Sequence, residues 1–194
     1  MTFNAKCWDC GAKVKKNNFF CSECNKIQEP QNYNEFELLG IDKKFDLDNE
    51  VLEHNYLKLQ QVLHPDNFST LSDKEIKYST IFSSMVNNAY YKLSNANLRA
   101  EALLKLEGLN NSDESETFHN TEVLEEILEI QNKCNNESDE KVVKDTSIEL
   151  DDKIFKTLSE LSSSFDKEDY KKASQLNIKL SYLEKIKKNL KRLV

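Results

Sequence analysis

Four of the five cysteines fall within the first 24 residues, in two C-x2-C pairs. Cys7-Trp8-Asp9-Cys10 is followed by Gly11, then nine residues, then Cys21-Ser22-Glu23-Cys24. Two residues between cysteines let the chain turn and aim both sulfurs at one ion, and two such pairs make a tetrahedral four-thiolate site. Gly11 supplies the positive φ such a turn needs. Zinc suits the site because it has no geometric preference to violate, and a single iron fits the same spacing. Two disulfides or a redox C-x2-C are the competing readings. A disulfide framework would spread cysteines along the chain, and these are clustered. A segment this small has no core of its own, so metal binding would supply most of its folding energy. Trp8, Phe19 and Phe20 are expected to cover the site.

The second constellation is Gln61-Val62-Leu63-His64-Pro65-Asp66-Asn67-Phe68. It holds one of the chain's two prolines and one of its three histidines. A His–Asp pair can orient and tune a general base. That use requires a nucleophile or bound water and a walled pocket. The sequence has no Gly-rich phosphate loop, no G-x-S-x-G, no H-E-x-x-H and no second carboxylate constellation. No catalytic residue is assigned. A solvated turn is one remaining reading. Recognition is the other: proline fixes the backbone, while His and Asp offer a donor, an acceptor and a charge at little entropic cost.

The elements that position these residues are helical. Glycine and proline number 3 and 2, which suits helices joined by polar loops rather than sheets with tight turns. Residues 1–32 form the tetracysteine module, with Pro30 marking a linker. Residues 33–109 carry a short helix around Phe36, Leu38, Leu39 and Ile41, closed by Gly40. Asp46 or Asp48 can cap the next helix, whose apolar face is Leu52, Tyr56, Leu59 and Leu63. Pro65 ends it and forces His64 out of helical geometry. A long helix resumes near Ser72, with Tyr78, Phe82, Met85 or Val86, Ala89 and Leu93 as its stripe. Arg99 to Glu107 make a last short helix, stopped at Gly108. Two long helices with a loop of about eight residues between them pack antiparallel, leaving His-Pro-Asp at a hairpin tip.

Residues 110–120 are a polar linker, and His119 in it reads as an exposed loop histidine. Residues 121–194 carry three amphipathic stripes. These are Val123, Ile127, Ile130 and Cys134; Leu150, Ile154, Leu158, Leu161 and Phe165; and Leu176, Leu180, Leu183 and Leu190. They read as an antiparallel three-helix bundle. Heptad-like stretches here also admit a weak homodimer. Cys134 reads as a small buried apolar residue. The fold class is all-α: a helical hairpin and a three-helix bundle, preceded by a small metal-binding module.

The bundle has apolar residues its stripes do not need. At about 100° per residue, Leu124 and Leu128 lie roughly 90–130° from the first stripe, and Tyr182 falls about 125° off the third. They form either an exposed patch for a partner or one side of a wide core stripe. Glu125, Glu126 and Glu129 beside the leucines make an acidic rim or a solvated face. The net charge of -7 gives no general attraction to nucleic acid. No apolar run reaches the roughly 18 residues of a membrane span.

The order of these features resembles a known family. "LHPD" between two amphipathic helices, preceded by "YNEFELLGI" and followed by "MVNNAYYKL", resembles a J-domain. "RAEALLKLEGL", "VLEEILEI" and "KLSYLEKI" are similar to the HscB family of iron–sulfur co-chaperones, and "CWDCG" with "FFCSEC" to the metal-binding extension of its animal-type members. The resemblance implies a non-enzymatic co-chaperone. His64, Pro65 and Asp66 match the loop that stimulates ATP hydrolysis by a DnaK/HscA-type heat-shock ATPase. The helix with Lys58 matches the docking helix, less basic here because of Gln60 and Gln61. Leu124, Leu128 and Tyr182 match contacts to an IscU-type iron–sulfur scaffold protein, with Glu129 as an adjacent charged contact. Gln131 and Asn132 stand where members often carry charge. The metal implied at Cys7, Cys10, Cys21 and Cys24 is structural zinc. The family points to mitochondria, although "MTFNAKCWDC" shows no presequence, so the cytoplasm is the alternative. A generic J-domain protein with another client is the competing function.

Overall fold

The structure, a computed structural model, describes residues 5–15, 18–109 and 140–190. The linker at 110–120 and the first stripe of the bundle, with His119, Leu124, Leu128, Glu129 and Cys134, lie outside the described residues. The chain divides into two compact units. One is Met1–Lys43 with Leu47–Ser94, and the other is Lys44–Asp46 with Asn95–Val194.

The first unit opens with two antiparallel two-residue strands, β1 (Ala5–Lys6) and β2 (Lys13–Val14). Helix α1 (Glu35–Leu39) starts from a reciprocal cap. The Asn34 side chain accepts from the Glu37 N–H at 2.9 Å, and the Glu37 carboxylate accepts from the Asn34 N–H. Gly40 closes it at φ 62, the left-handed conformation expected of that glycine. Helix α2 (Asn49–Leu63) is capped by Asp48, not Asp46: its carboxylate accepts from Glu50 and Val51 N–H. On α2, Leu52 and Leu63 are buried, and Tyr56 and Leu59 between them are half-buried. Helix α3 (Asp73–Ser94) buries Tyr78, Phe82, Val86, Ala89 and Leu93, so Val86 and not Met85 carries the stripe. The pairing of Tyr56 with Asn87 and Tyr90, and of Gln60 with Ser83, runs α2 and α3 antiparallel.

The second unit contains α4 (Ala96–Leu106), α5 (Glu140–Asp166) and α6 (Tyr170–Leu190). The sequence grouped α4 with the hairpin, through residue 109. Its contacts are with α6, because Ala100, Leu103 and Leu104 form a buried face that continues the second core. Helices α5 and α6 are antiparallel, joined by Lys167–Asp169. Glu168 takes φ 57, and the Asp169 N–H returns to the Ser164 carbonyl at 2.9 Å, an αL helix ending without glycine. The Asp169 carboxylate then caps α6 through the Lys172 N–H. Leu150, Leu183, Ile186 and Leu190 form one core cluster. The buried line of α6 differs from its apolar reading: Ala173 and Asn177 lie on it, and Leu176 is half-buried. Pattern reading skipped Asn177 because it is polar. Phe45 stacks on Phe165 at 5.3 Å, and the Arg99 guanidinium lies 4.9 Å over Phe45.

Candidate functional site

The four cysteines converge. Their sulfurs all lie within 4.8 Å of one another. Cys7 Sγ is 3.6 Å from Cys24 Sγ, and Cys10 Sγ is 3.7 Å from Cys21 Sγ. Four sulfurs at about 2.3 Å from one tetrahedral ion are about 3.8 Å apart, so the donor set fits a metal. A disulfide needs about 2.05 Å, and all four thiols are free.

Two equivalent turns build the site. Gly11 N–H bonds to Cys7 carbonyl at 3.1 Å, and Asn25 N–H to Cys21 carbonyl at 2.9 Å. The residue after each pair is left-handed, Gly11 at φ 75 and Asn25 at φ 56. Gly11 was legible. Asn25 was missed, although asparagine is the other residue that tolerates this conformation. Cys7 also receives the Asp9 N–H at 3.5 Å and the Gln28 amide at 3.4 Å. Burial would raise the Cys7 thiol, but these donors and the backbone at Cys10 outweigh it and bring it to about 6. Cys24 goes the other way, to about 12; its own backbone bond near Lys26 favours the thiolate, yet burial and the neighbouring sulfurs prevail. A bound cation would share the charge of the four sulfurs.

The aromatic residues around the cysteines do not close over the sulfurs as the sequence suggested. Val14, Ala12 and the cysteines pack together there. Trp8 meets Tyr78 edge-on at 6.4 Å, Phe19 meets Phe82 at 5.2 Å, and Phe20 lies parallel to Phe68 at 6.5 Å. The Trp8 indole N–H is satisfied by the Ile27 carbonyl at 2.7 Å, and the Lys74 ammonium sits 4.5 Å over its ring. The module is docked on the α2–α3 hairpin through rings adjacent to the cysteines in sequence. A salt bridge at 3.1 Å joins Lys26 to Glu75, whose side chain is 3% exposed. Glu75 also accepts from the Ser72 hydroxyl and N–H. The Ser72-x-x-Glu75 capping box was readable from sequence; the Lys26 partner, 49 residues away, was not.

At the hairpin tip, Leu63 ends α2 fully buried, and a 3-10 turn follows at Pro65–Phe68 with Phe68 buried. Between these anchors His64 and Asp66 are exposed, their side chains 51% and 89% accessible. The His64 N–H bonds to the Gln60 carbonyl, ending α2, and its carbonyl accepts from Asn67 N–H. The Asp66 N–H donates to His64 Nδ1 at 3.3 Å, and Asn67 Nδ2 donates to the Gln61 carbonyl at 2.8 Å. The pair is open to solvent. Gln60 is a clamp: its amide spans Asn87 at 2.6 Å and the Ser83 hydroxyl at 3.2 Å. The exposed side of α2 beside the turn carries His54, Leu57, Lys58, Gln61 and Val62. In the second unit Tyr182 is half-buried and packs with Ile154 against the Leu150–Leu183 cluster.

Comparison with known proteins agrees with this architecture. Residues 119–191 match the family described as the HSCB C-terminal oligomerisation domain. The iron-sulfur cluster co-chaperone protein HscB of Homo sapiens is 30% identical over 190 residues, covering 96% of this chain and 81% of that protein. Co-chaperone protein HscB of Proteus mirabilis is 32% identical over 162 residues, 81% of this chain and 94% of that one. The crystal structure of human HscB matches with a TM-score of 0.89 over 97% of this chain and 98% of the human one, at 30% identity. HscB from Vibrio cholerae matches with a TM-score of 0.74 over 82% of this chain and 96% of that chain, at 26% identity. A helical hairpin tipped with an exposed His-Pro-Asp, a tetracysteine module and relatives of this extent together place the chain in the HscB family of iron–sulfur cluster co-chaperones.

Proposed function

We propose that this chain docks on a DnaK/HscA-type heat-shock ATPase through the His64-Pro65-Asp66 turn and the exposed side of α2, and stimulates its ATP hydrolysis. The observation that carries the reading is the contrast within one turn. Leu63 and Phe68 are buried, while His64 and Asp66 between them face solvent on a fixed backbone. A rigid exposed turn loses little entropy on binding. Leu57 and Val62, 56% and 43% exposed, add apolar area next to it, and Lys58 adds a cation. The chain itself performs no chemistry; hydrolysis occurs in the partner.

The cargo in this reading is an IscU-type iron–sulfur scaffold protein, bound by Leu124, Leu128 and Tyr182 with Glu129 beside them. The cysteines hold one structural zinc. The metal closes the module and takes no part in hydrolysis. Mitochondria are the proposed compartment, in keeping with the human, mouse and Arabidopsis relatives.

Steady-state ATPase with the cognate chaperone and scaffold tests the proposal. Wild type should stimulate turnover and His64→Gln should not; equal stimulation by both would sink it. Scaffold affinity of wild type and of the Leu124/Leu128/Tyr182 triple alanine variant tests the cargo. Equal affinities would remove the patch and favour a J-domain protein with another client.

A further inference from the structure

We propose that the tetracysteine module braces the His64–Asp66 turn, with Phe20 and Lys26 as positioning residues. The role given to that turn rests on the function proposed above; the brace itself rests on packing.

The turn has two ends. Its upstream end is Leu63, held in the α2–α3 core. Its downstream end is Phe68, the one buried side chain of Pro65–Phe68. Phe68 lies parallel to Phe20, with 9° between the ring planes. Phe20 immediately precedes the ligand Cys21 and pairs by a β-bridge with Ile27, so the cysteine turn sets where its ring sits. Four residues after Phe68, Ser72 starts α3 by bonding Glu75, and Glu75 takes its salt bridge from Lys26, two residues past Cys24. The second C-x2-C pair thus reaches the turn from both of its flanks, Phe20 before it and Lys26 after it.

The turn's own side-chain bonds are Asp66 N–H to His64 Nδ1 at 3.3 Å, Asn67 Nδ2 to the Gln61 carbonyl at 2.8 Å and Ser69 Oγ to the Asp66 carbonyl at 3.0 Å, and three backbone bonds join them. Asn67 N–H reaches the His64 carbonyl at 3.0 Å, Ser69 N–H the Asp66 carbonyl at 3.4 Å, and Leu71 N–H the Phe68 carbonyl at 2.9 Å. Fixing each residue costs about 1–2 kcal/mol of backbone entropy, so a ring contact at the downstream end adds to what these bonds hold. Phe20 and the Lys26–Glu75 pair are anchors the described structure offers from outside the hairpin. Trp8 and Phe19 meet α3 farther from the tip, at Tyr78 and Phe82, so the brace is assigned to Phe20 and Lys26 alone.

Site-resolved hydrogen exchange on the full-length, metal-bound chain tests this. Phe20→Leu should speed exchange at Asn67, Ser69 and Leu71 roughly 2- to 10-fold, the range one aromatic pair supplies. Phe20→Tyr, which keeps the ring, should match wild type, and α6 amides should not change in either. Elemental analysis must show the variants still loaded with metal. Wild-type rates at those three amides in a loaded Phe20→Leu protein overturn the brace. Should that variant lose its metal, Lys26→Ala decides: faster exchange at Leu71 and Ser72 supports the brace, and wild-type rates there reject it. Failure of the His64→Gln assay would remove the role of the turn without touching this result, and the reverse also holds.

Discussion

His64 does three jobs with one residue: its N–H ends α2, its carbonyl begins the turn, and its Nδ1 accepts the Asp66 N–H. The same Nδ1 lies 3.5 Å from the Asp66 carboxylate. That carboxylate is almost fully exposed. Asp66→Asn should therefore leave unfolding free energy within about 0.5 kcal/mol of wild type while abolishing ATPase stimulation. A large loss of stability, read by urea titration, would recast the side chain as structural. Glu75 is the opposite case. Burial pushes its carboxyl up, but the Ser72 hydroxyl and the Lys26 ammonium outweigh burial and hold it below its ordinary 4.5. A folded-state pKa below the unfolded one means stabilisation that is complete above the usual carboxylate range and lost as pH falls through the folded value. Denaturant titrations from pH 7 downward should show the gap between wild type and Glu75→Gln widest at neutrality and closing on the acid side.

Helix ends were the most legible elements, because each end condition is local. Asp48 and Gly40 do what their residue types imply, and Pro65 stops α2 where it must; the Asn34 cap of α1 went unread. Gly40→Ala should cost about 1–2 kcal/mol, since φ 62 is left-handed, while its nearest neighbour, Asn55 Nδ2 at 4.0 Å, leaves room for a methyl. Thermal unfolding measures the loss. What stayed hidden required a partner far along the chain or a polar residue in an apolar place. Asn177 lies inside the buried line of α6, and apolar periodicity cannot see it. Phe19 and Phe20 looked like lids because they adjoin Cys21, yet adjacency in sequence does not say which way a ring points. On the short β-bridged segment their rings face Phe82 and Phe68. Helix α4 followed the hairpin in sequence without a linker, so only its packing on α6 revealed its unit.

At the scale of the whole molecule, the first unit joins a module whose four cysteines could hold a metal to a hairpin with a larger core. The hairpin has its own core of Leu52, Leu63, Phe82, Val86 and Leu93. The module has little beyond Cys7, Val14 and Cys21. Stripping the metal with a chelator should unfold the module while leaving most of the helical signal in circular dichroism. Loss of the whole helical signal would mean that the hairpin depends on the module for its fold. The candidate site was legible in its motifs, C-x2-C twice and His-Pro-Asp, because each is contiguous. That residues flanking the two motifs meet was not, since the contacts, Phe20–Phe68 and Lys26–Glu75, span 48 and 49 residues.

The ring contacts of the module with Phe68, Tyr78 and Phe82 bear on how this protein is cut into pieces. A fragment beginning at Tyr33 looks like a tidy minimal domain on paper. It would present the bared faces of Phe68, Tyr78 and Phe82 to water beside the segment under study. Such a fragment should bind a hydrophobic dye and self-associate where the full chain does not, as dye fluorescence and sedimentation would show. Weak activity or stickiness in it would then describe the cut edge, not the protein.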